Sequence, residues 1–304
     1  MTYRISGHES FTCRYAWLPK VVRSLDHDNR LMANEEQAMV ELGVGRNMVR
    51  SIRFWAQAAD VIEGSGRDGV SRLTDFANTL LGRNGLDPFL EDIRTLWLIH
   101  WKLATNIHHP LLAWDYLLNR WHEPEMVPAK VLKALQKEAA TQTGKLSSVT
   151  LEQHWETFLH TYVPTRGRKG EIQEDNLDCP LVELALLLKV GDRDPDQTSD
   201  KRETIYAFRR EEKPEIDSGL FVYCLNEFWQ QRHSAEATLP FREVAHGHGS
   251  PGQIFKLPEE DVLTRLAVLE RDTGGRFSYT ESMNSQQIQR HGDTDSIALL
   301  RSIY

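Results

Sequence analysis

The stretch Arg46–Ala58, RNMVRSIRFWAQA, constrains the fold of this chain more than any other. Met48, Val49, Ile52, Trp55 and Ala56, followed by Ala59, recur at three- and four-residue intervals, the spacing that gathers apolar side chains on one face of an α-helix. At 100° per residue, Arg46, Arg50, Arg53 and Gln57 fall within roughly 60° of one another, away from that face. Such a helix buries one side in a small core and carries a cationic ridge on the other. No acidic residue stands between Val44 and Trp55, whereas an ordinary solvated helix face, the plain alternative, mixes both signs of charge.

The flanks turn this helix into a unit. Asn34 is placed to cap a preceding helix, with Gln37 three residues on; Ala38, Met39 and Leu42 then recur at helical spacing and Gly43 supplies the stop. After the second helix, Val61–Glu63 and Val70–Leu73 read as two short strands around the turn-rich tip Gly64–Gly69. Helix, tight turn, helix and hairpin in this order predict a winged helix-turn-helix. Its candidate DNA-binding residues are Arg46, Asn47, Arg50, Arg53 and Gln57 on the second helix and Arg67 and Arg72 on the wing. Asn47 suits a base edge, and the arginines suit phosphates or guanine.

Helical segments follow over Leu90–Asn106, Leu111–Trp121 and Pro128–Thr141, and further helices are expected over Phe221–Gln231 and Glu259–Glu270, with a hairpin at FSYTESMNSQQIQR. The fold class is mainly α with small β-hairpins: an N-terminal winged helix-turn-helix, a helical middle and a second winged-helix-like unit at the C-terminus. The expected domains are 1–115, a helical connector 116–165, and an α+β domain 166–304. With 304 residues the chain can bury a sizeable core. It contains no apolar run long enough for a membrane span and opens without a secretory pattern, so the expected location is the cytoplasm. Cys13, Cys179 and Cys224 stand far apart, which argues for reduced structural thiols. The net charge of −8 excludes a protein that coats nucleic acid over its whole surface, but not a local basic patch.

Three other clusters carry polar chemistry. The opening GHESFTCRYAWLPK sets His8, Glu9, Arg14 and Lys20 among aromatics; His8 and Glu9 suit proton transfer, and Arg14 and Lys20 suit charge stabilisation at a phosphate. The plainer reading is that His8 and Arg14 tie the segment to the scaffold. Glu174, Asp175 and Asp178 could hold a Mg²⁺ ion, or Asp178 could cap a helix over Leu181–Lys189. His246 and His248 sit in a glycine-rich turn, while His100 lies in an apolar helix where a satisfied core residue is expected. There is no Walker A loop, GxGxxG, HExxH or GxSxG.

Four blocks, LGVGRNMVRSIRFWAQAADVIE, GHESFTCRYAWLPK, EDNLDCPLVELALL and GLFVYCLNEFW, resemble the SspB-like family of Ssp-type DNA phosphorothioation, a backbone modification used against phage. The resemblance runs from about Gly7 to the C-terminal hairpin. It implies a DNA-nicking endonuclease that opens one strand of double-stranded DNA. Its partners would be a cysteine desulfurase, an ATP-pyrophosphatase-like sulfur-transfer protein and an ATPase, which install sulfur. It assigns no catalytic residue. Ala185 stands where the pattern suggests glycine. The alternative is a non-catalytic winged-helix adaptor or transcriptional regulator.

Overall fold

The computed structural model describes residues 2–64, 69–142, 146–164, 179–193, 202–283 and 285–304. The chain divides into two compact units, Met1–Arg209 and Arg210–Tyr304. Both are mainly helical with small antiparallel sheets, as the periodicities require.

In the first unit, α1 (Trp17–His27), α2 (Glu35–Leu42) and α3 (Arg46–Ala58) precede the two-residue strands β1 (Ile62–Glu63) and β2 (Arg72–Leu73), which pair antiparallel. The capping signals act as read. Asn34 Oδ1 accepts from the Gln37 amide at 3.2 Å, and Gly43 closes α2 at φ 67°, a left-handed conformation that glycine adopts without a Cβ clash. Next come α4 (Asp75–Leu81), α5 (Ile93–Thr105), α6 (Leu112–Asn119), α7 (Pro128–Gln142) and α8 (Ser148–Tyr162). Every residue of α5 from Thr95 to Thr105 is buried, as a helix without a polar stripe must be.

Aromatic packing joins these helices. The Trp114 ring of α6 lies 5.8 Å from Trp55 of α3 and 5.0 Å from Phe158 of α8, both edge-on. Its indole N–H donates to the Tyr162 hydroxyl at 2.9 Å, and that hydroxyl sits 2.8 Å from His100 Nδ1. The set is satisfied when the Tyr162 hydroxyl donates a hydrogen bond to His100 Nδ1, so an otherwise apolar core holds a polar chain.

The units do not part at residues 115 and 165, where boundaries were expected. Arg120 donates to Asp115 Oδ2 at 2.8 Å, to Tyr3 Oη at 2.7 Å and to Glu138 Oε1 at 2.7 Å, so the N-terminal segment, α6 and α7 share one ion-pair network. His154 of α8 stacks on His8 with ring centroids 5.5 Å apart. These contacts join the N-terminal segment, α6, α7 and α8 within the one unit Met1–Arg209.

The expected helix over Leu181–Lys189 is also corrected. A 3-10 turn spans Pro180–Leu184 and stops at Ala185, whose φ of 45° is left-handed and favours glycine. The chain then extends as β3 (Leu187–Arg193), paired antiparallel with β4 (Glu203–Phe208), with a bulge between Lys189 and Gly191.

The second unit contains α9 (Ser218–Arg232), β5 (Thr238–Pro240), α10 (Phe241–His246), α11 (Pro251–Ile254), α12 (Glu259–Ala267), α13 (Leu269–Asp272), β6 (Phe277–Ser282), β7 (Ser285–Arg290) and α14 (Ser296–Arg301). The expected hairpin forms β6 and β7, and β5 joins it in the order β5-β7-β6. Cys13, Cys179 and Cys224 are buried free thiols.

Two outcomes follow from the core. Tyr162→Phe removes the hydroxyl between the Trp114 indole and His100, stranding two buried polar groups. Urea unfolding should show a loss of about 1–3 kcal/mol; an unchanged midpoint would mean the chain contributes nothing. The His8–His154 stack answers to pH. Burial drives both imidazoles toward the neutral form, and His154, also beside His8, is pushed down to about 3. Unfolded, each takes up a proton near the ordinary value of about 6.5. Stability is therefore full above that pH and is lost as pH falls below it, with His154 accounting for up to about 2 kcal/mol at pH 5. Urea midpoints at pH 7.5 and 5.0 measure the slope, which His154→Gln should flatten.

Candidate nucleic-acid interface

Helix α3 begins at Gly45, whose residue type offers no side-chain cap, so the helix N-terminus keeps its dipole end and first-turn amides uncapped by a side chain. Arg46, Asn47 and Arg50 on its first turns are exposed, the two arginine side chains at 57% and 49%. Both pair with Glu35 at the start of α2, Arg46 Nε at 3.5 Å and Arg50 Nε at 2.8 Å. Arg50 and, less strongly, Arg46 hold the Glu35 carboxyl below its usual range. The acid absent from α3 itself is thus supplied by the neighbouring helix. The pairs are solvent-exposed, which leaves them open to displacement by phosphate.

The ridge stops short of its expected length. Arg53 is half-buried and Gln57 is buried. The N-terminal segment lies over this half of α3: Arg4 stacks on Phe54, 4.3 Å above the ring centre, and donates to Gln57 Oε1 at 2.9 Å. Gln57 is therefore corrected from a DNA-facing residue to a partner of Arg4. Burial, and then the neighbouring Arg53, lower the Arg4 guanidinium to about 10. Arg4 is a cation of this face that sequence reading missed, because it meets its partner across 53 residues and no periodicity links them. Arg72 is exposed on β2; Arg67 lies outside the described residues.

Of the four N-terminal candidates, the structure brings His8 and Glu9 together. They line a cavity of ≈220 Å³ with Ser6, Ser10, Thr150 and Gln153. Glu9 is exposed; His8 is 3% exposed with both ring nitrogens engaged. Nδ1 accepts from the Ser10 amide at 3.1 Å, and Nε2 donates to the Ile5 carbonyl at 3.2 Å. The loop is tight: Glu9 and Ser10 hold φ of 49° and 60°, and a Cβ on Gly7 would stand 3.1 Å from the Phe54 ring. Arg14 and Lys20 do not line this cavity. Arg14 lies over Trp17 at 5.8 Å, and Lys20 Nζ donates to the Leu42 carbonyl at 3.2 Å. His100 is fully buried and bonded to Tyr162, and His246 pairs with Glu259 at 2.5 Å.

Glu174, Asp175 and Asp178 lie outside the described residues. Among the described residues no group of three or more His, Cys, Asp or Glu side chains is placed to hold a metal ion. Among them, too, no helix is long and apolar enough to cross a membrane.

This architecture has solved counterparts. A structure described as "Magnesium ion-bound SspB crystal structure" superposes with a TM-score of 0.83 at 22% identity, over 98% of this chain and 85% of that one. A second, "SspB crystal structure", gives 0.80 at 21% over the same shares. The chain therefore has an SspB-like fold. None of the curated proteins matches it in sequence. The family model described as "Protein of unknown function (DUF4007)" matches residues 5–304, and the chain belongs to that family.

Proposed function

We propose that this protein is a DNA-engaging component of a bacterial phosphorothioation system, acting in phage defence, and that it nicks one strand of duplex DNA so that backbone sulfur can be installed. The reading rests on one observation above the others: the N-terminal half of α3 presents Arg46, Asn47 and Arg50 to solvent at a helix start without a side-chain cap. Amides at a helix N-terminus and guanidinium groups are complementary to phosphate. In this reading α2 and α3 form a helix-turn-helix, β1 and β2 its wing with Arg67 and Arg72, and Arg53 supports the ridge beside Arg4. The helices and the β5-β7-β6 sheet of the second unit form a second winged-helix-like body. The SspB-like fold supports the assignment to phosphorothioation. It also supports cytoplasmic partners of the kinds that the sequence resemblance implies: a cysteine desulfurase, a sulfur-transfer protein and an ATPase.

For the cut we propose the cavity beside His8. Water forms a bond to phosphorus, one P–O bond of the strand breaks, the exposed Glu9 carboxylate accepts the water's proton, and the departing sugar oxygen takes a proton from solvent and leaves as a hydroxyl. His8, neutral and fully engaged, positions the loop. Arg14 and Lys20 lie outside the cavity and serve the surrounding scaffold. The carboxylates of Glu174, Asp175 and Asp178 would hold a Mg²⁺ ion, a hard cation suited to oxygen ligands. The engagement of His8 in purely structural bonds favours the second reading, a non-catalytic adaptor or regulator that binds DNA without cutting it.

Fluorescence anisotropy on a short duplex tests the binding half. Arg46→Glu with Arg50→Glu should weaken affinity by about a hundredfold and lower the slope of log K against log salt by about two. Glu35→Gln, which removes the competing carboxylate, should raise affinity a few-fold. A folded double mutant that binds as the native protein does would remove α3 from the interface. Supercoiled-plasmid relaxation tests the cut. The native protein should yield open-circular product and Glu9→Gln should not, although it still binds; an EDTA arm reports on the metal. Unaltered topology with bound native protein in Mg²⁺ would select the adaptor reading.

A further inference from the structure

Where α3 ends, a cavity of ≈570 Å³ opens between the helix terminus, β1 and the loop after α5, lined by Gln57, Asp60, Ile62, Glu63, Asn106, His108 and His109. Its volume falls in the range of small-molecule sites. Its lining differs in kind from the ridge at the other end of the helix: among the described residues it carries two carboxylates and two imidazoles and no lysine or arginine.

The cavity is built rather than incidental. Asp60 follows the α3 C-terminus at φ 56°, a left-handed conformation costly for a residue with a Cβ. Its carboxylate is anchored 3.1 Å from the buried Lys102 ammonium while its side chain stays 42% exposed. Asn106 fixes the opposite wall. Its Nδ2 donates to the Gln57 and Ala58 carbonyls at 3.2 and 3.0 Å, and its Oδ1 accepts from the His108 and His109 amides at 3.0 and 2.8 Å. Burial, and then the nearby Arg4 and His108, lower His109, so its ring is neutral near pH 7. Ile62 adds an apolar, buried surface.

We propose that this cavity receives a single nucleobase extruded from the duplex, and that it selects bases carrying an amino group. This rests on the reading that α3 engages DNA. A phosphate is disfavoured, since the described lining offers it two carboxylates, while the Lys102 ammonium is already paired with Asp60 and Arg4 with Gln57. A flat ring finds neutral imidazole and isoleucine surfaces to lie against. Amino groups on adenine, cytosine or guanine can donate to the carboxylates of Asp60 and Glu63, as acidic side chains accept from cytosine N4 in base readout. Thymine, whose edge has two carbonyls and one N–H, meets those carboxylates with lone pairs. The cost of extrusion is lowest for a base that is already unpaired.

Anisotropy on short duplexes that each carry one bulged base, compared with the perfect duplex, tests this. Bulged adenine and bulged cytosine should bind roughly tenfold tighter than bulged thymine, the worth of one hydrogen bond to a charged acceptor. In Asp60→Asn combined with Glu63→Gln, whose amides both donate and accept, checked for folding by thermal melting, the adenine-to-thymine ratio should fall to one. Perfect-duplex binding with equal affinity for the three bulges overturns the base pocket and leaves the α3 interface standing. Discrimination that persists in the double variant also overturns it. Absence of binding to every duplex overturns both.

Discussion

The first unit depends on the indole of Trp114. It is the side chain at which α3, α6 and α8 meet, through Trp55, its own backbone and Phe158, and its N–H begins the chain that runs through Tyr162 to His100 on α5. Apolar contact alone would let these helices slide against one another, because dispersion is non-directional and each contact is small. Two hydrogen bonds in a water-free interior are directional, and leaving either unmade is costly. They fix α5, α6 and α8 against one another, and so hold the Trp114 ring against which Trp55 of α3 packs.

The second constraint is the N-terminal segment, which works as a clasp. Tyr3 is held by Asp115 and Arg120, Arg4 by Gln57 and the Phe54 ring, and His8 by the loop carbonyl of Ile5 and the face of His154. Each is a polar or charged group lodged against helices distant in sequence. Together they cover the C-terminal half of α3 and leave its N-terminal half open. Neutral histidines suit this task, since a buried imidazolium would face both desolvation and the nearby Arg4.

Electrostatics on this surface is local. A chain of net charge −8 still sets two exposed arginines side by side, and a single glutamate on the adjacent helix holds them in place. That glutamate cancels part of the field in the free protein and orients the guanidinium groups at the same time. Farther along the same helix the lining turns acidic and aromatic. One helix therefore joins two surfaces of opposite chemistry, a cationic start and a carboxylate-lined end. A fold shared at about one-fifth identity carries over the backbone that makes this possible, not the side chains that use it.

Local signals were enough for several elements. The cap at Asn34, the left-handed stop at Gly43, the amphipathic period of α3, the short β1–β2 pair and the β6–β7 hairpin all follow from neighbouring residues, so they could be read directly. The family resemblance, and no local signal, singled out Ala185, which sits in a conformation made for glycine. The helix expected over Leu181–Lys189 failed because apolar residues in a short run do not distinguish a helix from a strand; pairing with β4, across a long separation, decided it. The sequence by itself determined that α3 is a helix with a cationic side, because that depends only on spacing along one helix. Which half of that side stays exposed, that Gln57 turns inward to Arg4, that Glu35 bridges the arginines and that a carboxylate-lined cavity opens at the helix end were decided by tertiary structure. Each of these joins residues with no shared period, brought together only when the helices pack around Trp114.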